Sequence, residues 1–248
     1  MSSRLLWSLA AFIASFILCY VFAKPIYGFL TAPLADALQG QEERRMIYTA
    51  LYEAFLTYVR IGFFGGLCLG FPIFAVQLWK FVAPGLYRNE RAAFRPYLIA
   101  TPVMFAAGAA FVYYLVMPMA IRFFLSFESP GGGDALPIQL EAKVSEYLDL
   151  IMALIFAFGV CYQLPILLTL LGHAGIITSQ SLVTYRRYAI VGVFAVAAVL
   201  TPPDVLSQVG LAIPMLALYE ASIWIVRAIE RARGRALVAE ENAANEGG

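Results

Sequence analysis

Residues 59–80, VRIGFFGGLCLGFPIFAVQLWK, run straight into residues 81–91, FVAPGLYRNER, and that junction decides the fold. At about 1.5 Å per residue the first piece reaches about 30 Å, the thickness of a bilayer's hydrocarbon core. The second sets one carboxylate, Glu90, among Lys80, Arg88, Arg91 and Arg95, and a further apolar run follows at about 97–121. Charge gathered between two membrane-length runs marks a bilayer edge.

The rest of the chain agrees. Of its 248 residues 62% are hydrophobic and 13% charged, with a mean hydropathy of +0.78, more apolar surface than a soluble core of this size can hide. A formal net charge of +1 implies neither a nucleic-acid footprint nor an acidic-substrate field. Cys19, Cys68 and Cys161 lie inside apolar runs without ligand spacing, so they read as packing residues, and no metal or cofactor is expected. The first run, 5–22, exceeds the roughly 7–15 apolar residues of a signal peptide and reads as a retained span, although Val21-Phe22-Ala23 resembles a cleavage site.

Apolar runs at about 5–23, 59–80, 97–121, 148–172, 188–200 and 205–226 predict an all-α polytopic membrane protein with six transmembrane helices. Residues 1–235 form one membrane domain, and the polar, aperiodic segment 236–248 is expected to be a disordered cytoplasmic tail. With the N-terminus, 81–96 and the adjoining Lys80, 173–187 and 227–248 on one side, that side holds 11 of the 17 Lys+Arg and 5 of the 16 Asp+Glu. The positive-inside rule then places both termini in the cytoplasm. Arg186-Arg187 and Pro202-Pro203 confine the fifth run to about 20 Å of apolar helix, which predicts short fifth and sixth helices in a thinned bilayer. A re-entrant hairpin would instead put Arg227, Arg231, Arg233 and Arg235 on the wrong side. Pro72, Pro118, Pro165 and Pro214 should each bend a helix, kinking the bundle into a concave cup. Gly62, Gly66 and Gly70 permit close helix contact within the subunit. Residues 24–58 read as an outer loop ending in a surface helix from about Glu42, with Met46, Ile47, Leu51, Phe55 and Tyr58 on one face. SPGGGD at 129–134 is turn chemistry.

Among polar positions, Glu90 stands first: a carboxylate at a membrane edge takes an incoming guanidinium through two parallel charge-assisted bonds. The plain alternative is a loop ion pair with Arg88, Arg91 or Arg95, worth under about 1 kcal/mol. Asp204 follows two prolines and is placed to cap the sixth helix. Gln208, one turn further, needs a hydrogen-bond partner in a lipid-facing helix. Gln163 and Glu220 are the other polar groups within apolar runs, and Glu220 is expected to be functional, to reach the interface or to meet Arg227. The single histidine, His173, has no nucleophile or second ligand beside it and reads as a helix-end cation, so no enzyme is expected. No phosphate-binding GxxxxGK[ST] loop occurs. A small-solute secondary transporter is the alternative class; it would need repeated halves and a midplane polar site, and no convincing repeat is visible.

The segment F-x-x-P-x-L-x-x-x-E-R, carried by Phe81, Pro84, Leu86, Glu90 and Arg91, resembles the first cytoplasmic loop of the TatC family, the large membrane subunit of the twin-arginine protein translocase. LTPPDVLSQ at 200–208 and AIPM at 212–215 are similar to its fifth-to-sixth helix turn. The resemblance covers nearly the whole chain. It implies a receptor in the inner membrane that binds the signal peptides of folded cargo through Glu90 and draws on the protonmotive force. It further implies docking of TatB and TatA through Thr201 and Gln208, and self-association in the receptor complex. Pro33, Phe105, Tyr113, Gln163, Asp204 and Glu220 match further family positions; many relatives hold a glutamate where Gln163 stands, so a proton role there is not expected. One departure counts against a complete site. The family's opening H-L-x-E-L-R-x-R-L is matched only by Arg4 and Leu5, Ser2 standing for the first arginine, and its histidine and glutamate have no counterpart. Either the true start lies upstream or half of the recognition site is absent.

Overall fold

In the computed structural model, residues 2–38, 46–82, 95–129, 140–200 and 205–246 are described. Their helices are α1 (Ser2–Val21), α2 (Ala23–Ala37), α3 (Glu53–Val82), α4 (Arg95–Phe111), α5 (Met117–Leu125), α6 (Val144–Cys161), α7 (Leu164–His173), α8 (Ser179–Leu200) and α9 (Val205–Glu246). Five stretches of described helix are long and apolar enough to cross a membrane, and six if α1 and α2, bent by 73° at Phe22, count as one. Two of the five are interrupted helices. A π turn, Val112–Val116, widens the chain just ahead of Pro118 and joins α4 to α5, and a break at Tyr162-Gln163 ahead of Pro165 parts α6 from α7. Proline lacks the N–H the helix needs there, and the backbone changes form next to it. Pro72 and Pro214 are carried inside α3 and α9, as is Pro102 inside α4.

The helices gather into two compact units. The first comprises Met1–Tyr87 and Phe105–Gly159. Here the glycines of α3 bring α1 close: a Cβ on Gly66 would stand 3.0 Å from the Cα of Phe16, and one on Gly62 would stand 3.1 Å from the Cβ of Tyr20. Gly65, between them, lies against buried Cys19. Packing within the subunit is thus what Gly62 and Gly66 do, whereas the atoms nearest to a Cβ on Gly70 are those of Phe74 in its own helix. Leu148, Ile151, Leu154 and Phe158 form the fully buried stripe of α6. The second unit comprises Arg88–Met104 and Val160–Gly248, with a core of Leu182, Tyr219, Ile223 and Val226 between α8 and α9.

Three expectations change. Residues 24–58 are not one loop with a terminal surface helix: α2 occupies 23–37, and Met46–Tyr52 is non-helical, so Met46, Ile47 and Leu51 share no helical face with Phe55 and Tyr58. The reason is a competing pairing. Ile47 N–H donates to Ala142 O and accepts from Val144 N–H through its own carbonyl, an isolated parallel bridge to Lys143 that holds this segment extended. The fifth and sixth helices are not short. Their apolar runs are, but α8 begins at Ser179 and carries Arg186 and Arg187 inside it, so at about 1.5 Å per residue it reaches about 33 Å. Likewise α9 continues to Glu246, through the segment expected to be disordered, because its Ala, Leu, Glu and Arg residues are strong helix formers.

Replacing Gly66 by Leu should drive a side chain into the backbone of α1 and cost about 1–3 kcal/mol, lowering the thermal midpoint of the detergent-solubilised protein. Gly28→Ala, where a Cβ meets nothing within 4 Å, should not lower it.

Candidate functional site

Of the residues expected to read the signal peptide, Phe81 lies in the last turn of α3, and Pro84, Leu86, Glu90 and Arg91 lie outside the described residues. So do Thr201, Asp204 and most of the 129–134 turn. The remaining candidates all have defined partners.

Pro33 and Tyr113, 80 positions apart in the sequence, form one node. Pro33 sits inside α2 and has no N–H for the carbonyl four residues back, that of Phe29. The Tyr113 hydroxyl donates to that carbonyl at 2.8 Å, its ring stacked on Phe29 with centroids 4.3 Å apart. Tyr113 belongs to the π turn, whose wider winding is marked by the Met117 N–H reaching back five residues to Val112 O. From α6, the Tyr147 hydroxyl donates to the next carbonyl of α2, Leu30 O, at 3.0 Å. Two tyrosines thus hold α2 where proline interrupts it.

Phe105 is a packing aromatic. Its ring stacks on Phe71 at 4.3 Å and fills the space that a side chain at Gly159 would occupy, a Cβ there falling 2.4 Å from Phe105 Cε2. Gln163, at the break before Pro165, donates from Nε2 to Thr101 O at 3.1 Å, while Tyr97 and His173 meet edge to face at 6.5 Å. Gln208 donates from Nε2 to Phe194 O at 3.3 Å, a bond inside the α8–α9 hairpin. Glu220 meets Arg186 of α8 and not Arg227: Nε to Oε1 is 2.7 Å and Nη2 to Oε2 is 2.9 Å, the two-point fork of guanidinium and carboxylate.

Several residues escaped the sequence reading. Glu53 is buried, yet its carboxylate accepts the N–H groups of Thr49 at 2.8 Å, Ala50 at 3.3 Å and Ser145 at 3.4 Å, so a desolvated charge is met by backbone donors. Glu230 reaches across from α9 to Ser179, taking its N–H at 2.8 Å and capping α8 from another helix. Arg60 pairs with Asp149. Arg60 was legible as a charge inside an apolar run, but its partner lies 89 positions away.

Against known proteins, the family profile described as Sec-independent protein translocase protein (TatC) matches residues 1–214. The chain belongs to the TatC family. The TatC protein of Magnetococcus marinus is 47% identical over 239 residues, covering 96% of this chain and 85% of that one. That of Escherichia coli is 38% identical over 225 residues, covering 90% and 84%. A crystal structure titled Twin Arginine Translocase Receptor-TatC superposes with a TM-score of 0.76 at 33% identity, covering 92% of this chain and 97% of that one. The TatC fold is therefore the fold of this chain, a multi-pass helical membrane protein. It is a component of a Sec-independent protein translocase that works with other Tat subunits, and not a member of an enzyme family. This supports the translocase reading over a small-solute transporter.

Tyr113→Phe keeps the stacked ring and removes the donor from the Phe29 carbonyl. An unsatisfied backbone acceptor of this kind costs about 1–3 kcal/mol. The expected outcome is a lower thermal midpoint with unchanged membrane insertion.

Proposed function

We propose that this chain is the receptor for twin-arginine signal peptides and the core subunit of a Tat translocase in the inner membrane, exporting folded proteins on the protonmotive force. The observation that carries the reading is the likeness of nearly the whole chain to a solved twin-arginine translocase receptor, in a sequence that keeps F-x-x-P-x-L-x-x-x-E-R at 81–91. Glu90 receives the arginine pair through charge-assisted bonds, with Phe81, Pro84, Leu86 and Arg91 as the accompanying signal-binding positions. Both termini face the cytoplasm, and copies of the chain associate in the receptor complex. Thr201 and Gln208 mark the face that docks TatB and TatA. The bond from Gln208 to Phe194 occupies one N–H of an amide that carries two, so docking and hairpin bracing are compatible roles.

Glu90→Ala and Glu90→Gln should weaken photocrosslinking to an Arg-Arg signal peptide while membrane insertion persists; crosslinking at the wild-type level would remove Glu90 from the site. Gln208→Leu should reduce copurification of TatB or TatA more than it reduces signal crosslinking. Full copurification would confine Gln208 to its bond with Phe194.

A further inference from the structure

In the first unit a groove of about 550 Å³ opens where α1, α3 and α6 meet. Its walls are apolar: Phe16 of α1, Phe63, Phe64 and Leu67 of α3, and Met152 and Phe156 of α6. At one end stand two opposite charges, Arg60 of α3 and Asp149 of α6, in contact through Nη1 and Oδ2. Both side chains are about half exposed, at 49% and 52%.

An ion pair open to this degree contributes little by bracing two helices. A guanidinium carries five N–H donors and a carboxylate two acceptor oxygens, so one contact between them leaves capacity on both for a ligand that carries the complementary charges side by side. The position along the helices limits what that ligand can be. From Arg60 to Leu67, and from Asp149 to Phe156, each wall descends about 10 Å. One leaflet of a hydrocarbon core about 30 Å thick is about 15 Å deep. The groove therefore suits an acyl chain that ends within its own leaflet, not a partner helix that must cross both.

We propose that this groove holds a zwitterionic phospholipid with a primary ammonium, its phosphate on Arg60, its ammonium on Asp149 and one acyl chain along Phe63, Leu67 and Phe156. Arginine is the side chain suited to phosphate, which it meets with paired donors. Asp149 supplies the selectivity: it accepts N–H bonds from an ammonium, finds none on a quaternary amine, and repels an anionic headgroup that lacks the amine.

The test is native mass spectrometry of the full chain in detergent, titrated with phosphatidylethanolamine, phosphatidylcholine and phosphatidylglycerol of identical acyl chains. The ethanolamine lipid should be retained about tenfold better than either of the others, the worth of one charge-assisted hydrogen bond. Asp149→Asn should erase its advantage over the choline lipid, and Arg60→Gln should lower retention of all three. Because each of these substitutions also takes a partner from the other charge, Ala153→Phe provides an independent arm. It fills the groove beside the intact pair and should lower retention without lowering the thermal midpoint. Equal retention of the three lipids by the wild-type chain, or an undiminished preference in Asp149→Asn, would overturn the proposal. So would a signal peptide or partner helix that crosslinks at position 153 and displaces the lipid.

Discussion

A carbonyl without a donor is the central difficulty of this molecule, and the hydrogen bond from Tyr113 to Phe29 O is the clearest answer to it. In hydrocarbon there is no water to take up a broken backbone bond, and each unsatisfied group costs several kcal/mol. Proline is nonetheless built into or beside six of the nine described helices, in α2, α3, α4, α5, α7 and α9. Such a chain is stable in a membrane only if other elements supply donors or the winding itself adjusts. In the first unit both happen at one place: the π turn that precedes Pro118 is the element that carries Tyr113 to the carbonyl Pro33 leaves open.

The same kind of bond recurs between helices. Tyr147 donates to Leu30 O, Gln163 to Thr101 O, Gln208 to Phe194 O and Tyr219 to Leu182 O. In each a polar side chain within an apolar stretch spends a donor on another helix's backbone, the usual remedy where the hydrophobic effect gives helices no reason to associate. Pro33, Tyr113 and Gln163 thus have a structural role that does not depend on cargo. Within each unit these bonds, and in the first unit the glycine contacts, are what hold the helices together.

Membrane class was legible, because an apolar run of spanning length has few alternatives; the six expected spans compare with five among the described helices, or six if α1 and α2 count as one. The limits of the helices were not. Ser179 to Arg187 and the residues after Arg227 are polar, so hydropathy ended two helices that propensity and the trans cap from Glu230 extend. Residues 23–37 carry Pro25, Gly28 and Pro33, each a loop signal when read alone. Tyrosines from two other elements bond to carbonyls of α2, Tyr113 donating to the one that Pro33 leaves open, and nothing local announces those partners. For the same reason Gln163, Gln208 and Glu220 could be picked out as polar groups in need of a partner, while Thr101, Phe194 and Arg186 could not be named.

The most direct measurement is a double-mutant cycle between Pro33→Ala and Tyr113→Phe, read as unfolding free energy in detergent. If the tyrosine hydroxyl serves the carbonyl that proline leaves open, then alanine restores the helical N–H, and the cost of Tyr113→Phe should largely vanish in the Pro33→Ala background. The two substitutions should then be coupled by about 1 kcal/mol or more. Additive costs would contradict the account, because the hydroxyl and the proline would then be acting on unrelated groups.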